Sequence, residues 1–398
     1  MPELFSGGLK TMILQNPISG AILKRDSPHS LSDGEMRFPI VDEIPFLRIG
    51  REDLTRETLR ALDLNDEKAA LVLLLRDRDD WAKGEPANEN DLRQLVENVD
   101  DINLREAMKL LNYGAVADYF AFRWSDPTFL SGLALLQSLI QSSKFDVQAG
   151  SENHVLEICC GIGHYLREFS LRGISAVGVD VVFSKLWLAR KFVSPEISLV
   201  CCDVNFGLPF QNDSFETFFC HDAFYFLPDK QLVIDEAKRV TTHSITIGHA
   251  HNAEVDNFSS GEPLTVHEYA KFLDDAIFYD DYELTQSVIE NRTPQPQSIE
   301  RLRNSAAISF VKQNHEIETK RDFSLPISNR NLRINPLLLN GDEILNKPNF
   351  SSERYEKEYG ELSEYLNLTD AEIAQIERGE HLEDFARRRV LLSLPEKW

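Results

Sequence analysis

The sequence has no apolar run long enough to cross a bilayer; residues 71–75 form only a short core-type segment. Its first residues, Met1-Pro2-Glu3, carry neither the basic start nor the apolar stretch of a secretion signal. A cytoplasmic location with no membrane partner is therefore expected. Cysteine is scarce, with five in 398 residues. Cys159-Cys160, Cys201-Cys202 and Cys220 lack the spacing of zinc ligands, so they read as reduced, small, buried residues, and no metal site is expected. Basic charge is scarce as well. Against 65 Asp and Glu stand 42 Lys and Arg, a net charge of −23. Phosphate backbones and anionic lipid need a basic surface, so nucleic acid is disfavoured as a partner. The one compact basic run, Arg387-Arg388-Arg389, reads as a solvated helix end. Internal repeats and low-complexity segments are absent. The length suffices for two or three domains.

What is present centres on one stretch, Val155-Leu156-Glu157-Ile158-Cys159-Cys160-Gly161-Ile162-Gly163-His164. Val155, Leu156 and Ile158 read as a short buried strand. Gly161 and Gly163 allow a tight turn with close backbone approach to a ligand. Residues 164–172 then read as a helix closed by Gly173. Strand, turn and helix make a nucleotide-binding crevice of the doubly wound α/β kind. The third glycine of the dinucleotide fingerprint would fall at Leu166, which disfavours a pyrophosphate cradle and a nicotinamide dehydrogenase. Glu157, at the strand's end, would repel phosphate and welcome an ammonium group.

The order acid, spacer, small residue, spacer, Gly-x-Gly resembles the first motif of class I S-adenosylmethionine (SAM) methyltransferases. Cys159 stands where the commoner first glycine would be. A second strand, 176–180, ends in Asp180, about twenty residues past the turn, where an acid can accept both hydroxyls of a ribose. A third strand, 197–201, leads to Asp203 and Val204, placed for an adenine. The run Leu208-Pro209-Phe210 followed by Asp213-Ser214-Phe215 matches the family closely and leads into a fourth strand. The resemblance implies a Rossmann-like seven-stranded sheet with helices on both faces, and SAM as cofactor. It implies cofactor contacts from Glu157, Cys159, Gly161, Gly163, Asp180, Val181, Asp203, Val204, His221 and Asp222.

Reacting groups sit at strand ends in this crevice. His221 and Tyr225 follow the fourth strand; His249 and His251 follow the fifth, 244–247. These four are the candidate catalytic residues. At i, i+2 the last two share a face if the strand continues that far, and either can take a proton near neutral pH. A plain loop or packing role stays open for each.

Four regions are expected: 1–81, 82–150, 151–315 and 316–398. In the first, strands at 9–14, 21–25 and 35–47 resemble the small zinc-ribbon-like activator of RNA and protein methyltransferases. Asn16 stands where that family's Cys-Pro pair would begin, so the module is expected to dock without metal. Helices are expected at 53–64 and 66–76. The second region is a linker and helical lid, with helices at 91–113 and 127–142 and Asp126 as a cap. Its aromatic residues Tyr119, Phe120, Phe122 and Trp124 either line an acceptor pocket or are core. In the third, a helix at 267–278 and a final antiparallel strand pair at 282–290 and 306–313 are expected. The fourth holds strands within 324–339 and is mainly helical over 351–393; it either closes the acceptor site or makes a homodimer or partner-protein contact. The expected activity is methyl transfer to O or N of a small-molecule or peptide-like metabolite, with natural-product biosynthesis as one setting. A non-catalytic scaffold of the same fold, or an RNA or protein methyltransferase, is the alternative.

Overall fold

The computed structural model describes residues 12–78, 85–142, 155–257, 261–313 and 332–398. The chain opens with a four-stranded antiparallel sheet, β1 (Lys24–Ser27), β2 (Ser30–Ser32), β3 (Arg37–Val41) and β4 (Ile44–Pro45). Asn16 fastens its first turn: the side-chain oxygen accepts from Ile18 N–H at 2.9 Å, and the amide donates to Asp33 at 2.6 Å. Of the strand expected at 9–14, residues 9–11 lie outside the described residues, and Leu14 makes only an isolated bridge to Phe210.

Helices α1 (Glu52–Asp63), α2 (Glu67–Leu75), α3 (Glu89–Glu97), α4 (Leu104–Leu110), α5 (Val116–Phe122) and α6 (Pro127–Ser142) follow. The starts of α2, α3, α4 and α6 are set by side chains that accept the orphan N–H groups of the first turn. Asp66 caps α2, and Asp126 accepts from Phe129 N–H at 2.8 Å beneath α6. The single helix expected over 91–113 is two helices. A reciprocal cap between Asn103 and Glu106 starts α4 afresh after α3 has ended at Asn98.

The core alternates strands and helices: β5 (Val155–Ile158), α7 (His164–Leu171), β6 (Ala176–Asp180), α8 (Phe183–Leu188), β7 (Ser198–Cys201), β8 (Phe215–His221), α9 (Lys230–Val240) and β9 (Thr241–His251). It closes with α10 (Val266–Tyr269), β10 (Ile277–Asp280), α11 (Asp281–Ile289), α12 (Ile299–Leu302) and β11 (Ala307–Gln313). The sheet order is β10-β11-β9-β8-β5-β6-β7. Strands β5 to β9 pair in parallel, and β11 runs antiparallel between β9 and β10. The order reverses at β5, which places the ligand crevice between the carboxyl ends of β5 and β8. The two sheet faces pack into separate apolar clusters. Along β5, Val155 enters one, and Leu156 and Ile158 the other, as strand alternation dictates.

Two sequence-based expectations fail at the sheet's far edge. Residues 282–290 are helical, not a strand. Asp280 accepts from Tyr282 N–H at 2.7 Å, and acids at 281 and 283 favour a helix start there. The sixth strand is β10, which begins at the end of the stretch expected to be helical over 267–278 and runs past it; α10 stops at Tyr269.

The N-terminal sheet docks on the sheet's β7 edge. Phe46 pairs in parallel with Cys201, and Leu47 N–H donates to the Cys201 carbonyl at 2.7 Å. The C-terminal region carries α13 (Glu353–Tyr359), α14 (Asp370–Glu377) and α15 (Leu382–Arg387). Short strands lie at Arg333–Ile334 and Leu339–Asn340, while 314–331 lies outside the described residues. This region grips the last turn of α5 and the segment after it by the backbone: Trp398 donates to Ala121 O, Tyr355 to Phe122 O and Arg389 to Trp124 O. The arginine run is therefore not a solvated helix end. Arg389 is buried, and Arg388 bonds the carbonyls of Tyr365 and Asn367. No helix among the described residues is long and apolar enough to cross a membrane.

Candidate active site

The glycine turn is built from three left-handed residues in alternation, Cys159 (φ +52°), Gly161 (φ +56°) and Gly163 (φ +82°). Only the first carries a side chain, so Cys159 stores backbone strain where a glycine would not. Asp180, at the end of β6, braces the turn. One carboxylate oxygen accepts from Gly161 N–H and the other from Val182 N–H, each at 2.9 Å, with Lys185 Nζ 3.6 Å away. Glu157 is buried within β5. It accepts from the Leu166 backbone in the first turn of α7, and its Oε2 is buried with no hydrogen-bond partner. Burial, and then the charge of Asp180, push its carboxyl well above the usual range. A buried oxygen without a partner at the head of the glycine turn fits a cationic, hydrogen-bond-donating ligand group. Asp203 caps a short turn at Val204–Phe206, accepting from Asn205 N–H at 3.0 Å; Val204 is buried and Val181 half-buried beside the end of β6.

At the ends of β8 and β9 a second cluster forms. Asp222 Oδ2 accepts from Tyr119 OH at 2.8 Å and lies 3.0 Å from the buried Arg123 guanidinium. Its Oδ1 accepts from Tyr225 OH at 2.8 Å and lies 3.9 Å from His249 Nε2. Strand β9 runs on through His251, and the Nε2 atoms of His249 and His251 are 3.3 Å apart. A bulge between β9 and β11 turns His249 inward, with φ +49°. His249 Nδ1 is 2.6 Å from Asp281 Oδ2, and Asp281 is held in turn by Ser131 and Ser309. Tyr225 stacks on His251 with ring centroids 4.0 Å apart. Burial alone would lower the His249 pKa, but the facing carboxylates of Asp281 and Asp222 outweigh it and the net shift is upward.

His221 sits behind this cluster, buried between Tyr165 OH and Ser131 Oγ, each 3.3 Å from a ring nitrogen. Gly248 makes room for it, since a Cβ there would meet the His221 ring at 2.2 Å. Helix α5 joins the two halves: Tyr119 bonds Asp222, and its neighbour Phe120 packs over Gly161.

The structure thus gathers His249, His251, Tyr225 and Asp222, and puts His221 one layer deeper. Arg123, Asp281 and Ser309 escaped the sequence reading as site residues, while Tyr119 is one of the aromatic residues for which an acceptor-pocket role and a core role were both open. The sequence signal for Asp281 was the Asp280-Asp281 pair at a strand-to-helix junction.

The sheet order, the strained turn and the acids beside it fit a class I SAM-dependent methyltransferase domain. Residues 155–244 match the family model described as a methyltransferase domain. The match stops within β9, before His249. No curated protein matches the chain closely. Among solved structures the chain is similar to geranyl diphosphate C-methyltransferase from Streptomyces coelicolor A3(2), at 13% identity over 45% of this chain and 76% of that one, with a TM-score of 0.33. It is also similar to an S-adenosylmethionine-dependent methyltransferase from Mesorhizobium loti, at 15% identity over 40% of this chain and 90% of that one, with a TM-score of 0.30. At these scores the likeness says nothing of acceptor or chemistry. Among the described residues, the groups suited to SAM are those at the glycine turn and the ends of β6 and β7.

Proposed function

We propose that this methyltransferase acts on an oxygen or nitrogen atom of a small-molecule or peptide-like metabolite, and that the acceptor sits against Asp222, Tyr225, His249 and His251. SAM supplies a methyl group already activated on a sulfonium, so the protein's tasks are alignment, exclusion of water and, for an oxygen acceptor, removal of a proton. One observation carries the reading. Asp281 holds His249 by Nδ1, which leaves Nε2 directed at the cluster, next to Asp222 at the end of β8. Phe120 and Tyr119 cover both halves with one helix, and a lid of that kind suits a small acceptor. The net charge of −23 disfavours RNA. A biosynthetic metabolite fits this site better than a polymer.

The test is release of S-adenosylhomocysteine from SAM in the presence of pooled small hydroxyl and amine compounds, peptides, or RNA. Turnover with small acceptors that falls about 100-fold in His249→Ala, at unchanged SAM affinity, supports the proposal. Turnover with RNA alone, or SAM turnover indifferent to His249, would refute it.

A further inference from the structure

We infer that Asp222, His249 and His251 form a binding site for one divalent transition-metal ion at the acceptor end of the crevice. The ion's part in the reaction rests on the function proposed above, with His249 Nε2 then serving as a ligand rather than as a proton acceptor; its binding does not. One ligand atom from each residue lies within 4.8 Å of the other two. The two histidine Nε2 atoms, 3.3 Å apart, already have the separation of two ligands on one tetrahedral ion, which roughly 2.0–2.2 Å bonds require. Asp222 Oδ1 is 3.9 Å from His249 Nε2 and needs to close by about half an ångström to join them.

Three further features point the same way. The Asp222 carboxylate is divided in labour: Oδ2 is anchored by Arg123 and Tyr119, and Oδ1 accepts from Tyr225 OH on one side and faces His249 Nε2 on the other. Asp281 takes the far nitrogen of His249 at 2.6 Å, the carboxylate–histidine support that orients metal-bound imidazoles. Asp222 (φ +55°) and His249 (φ +49°) are both held in the left-handed region, a strain that native structures retain at functional positions. Two imidazoles and one carboxylate suit zinc, iron(II) or cobalt(II) better than magnesium or calcium, and leave coordination positions for an oxygen-bearing acceptor. His221 is not a fourth ligand, because Tyr165 and Ser131 engage its two nitrogens.

The experiment uses the full chain, stripped with a chelator and titrated with cobalt(II). Visible absorption reports ligand type and calorimetry the stoichiometry; SAM binding is measured in parallel. The expected result is one ion per chain with a dissociation constant of about 10 µM or tighter, visible bands of nitrogen and oxygen ligation, and a thermal midpoint that rises with the ion. His251→Ala should abolish the rise. Asp281→Asn, which keeps all three ligands, should weaken binding by roughly 10–100-fold. Absence of saturable binding, binding that survives in His251→Ala, or an intense thiolate charge-transfer band pointing to the cysteines would overturn the site. SAM binding without ion binding refutes the metal alone; ion binding without SAM binding refutes the methyltransferase reading alone.

Discussion

The two halves of the crevice are held together differently. In the half built on the glycine turn, the acids answer to backbone fewer than about twenty-five positions away: Asp180 braces Gly161 and Val182, and Asp203 braces Asn205. In the half at the ends of β8 and β9, Asp222 and Asp281 answer to side chains from Tyr119 and Arg123 through to Ser309. The first arrangement is a local motif. The second is a buried network, in which each charge depends on partners from other elements. Loss of one member there should cost more than loss of an acid in the motif.

The sharpest way to break this contrast is Asp222→Ala. It removes the nearer of the two carboxylates facing the buried Arg123 guanidinium and leaves Asp126 at 3.6 Å, and unfolding in urea should show a loss of about 3 kcal/mol. A loss below about 1 kcal/mol would put the two halves on the same footing. Asp180→Ala comes next. It should weaken SAM binding by about 100-fold in calorimetry, or about 2.7 kcal/mol. It also leaves two N–H groups without their acceptor, so a stability loss of about 1–3 kcal/mol should accompany it. Asp180→Asn, which keeps one acceptor oxygen, separates the two effects.

A third test concerns His164, which donates to Phe120 O at 3.0 Å and ties the lid to the glycine turn. Burial, against the pull of that carbonyl, lowers its pKa to about 3. The unfolded chain takes up this proton near pH 6.5 and the folded chain near pH 3. The stability it contributes is therefore present above pH 6.5 and is lost as pH falls towards 3, by about 1.4 kcal/mol per unit. Thermal melts of His164→Gln should show a shallower fall than wild type over that window. The smallest effect belongs to Cys159→Gly, which relieves the left-handed residue at the head of the turn; a gain of about 1 kcal/mol is expected by chemical denaturation.

The same contrast explains what could be read from the sequence. The turn, its acids and the strands around them were legible because their partners lie within a short stretch, and glycine spacing and buried strand runs report such geometry directly. His249 and His251 were legible as a pair because a strand's alternation can be counted forward. Asp281 was not. Tyr282, Leu284 and Val288 fit a strand's alternation, and Leu284 and Val288 also fit one helix face. The arbiter was the Asp280 cap, which a periodicity count ignores. Arg123 and Tyr119 looked like lid and core, since nothing near them in sequence announces Asp222, about a hundred residues away.

The docked N-terminal sheet has a consequence for where the folding unit ends. Phe46 and Leu47 occupy the outer hydrogen-bonding row of β7 and seal it. A chain trimmed to residues 155–244 would bare that row, together with apolar Val200 and Phe210. An uncovered strand of this kind recruits the next molecule edge to edge, so the trimmed product should precipitate rather than fold. The segment that carries the family's signature thus depends for its solubility on residues that precede it by more than a hundred positions.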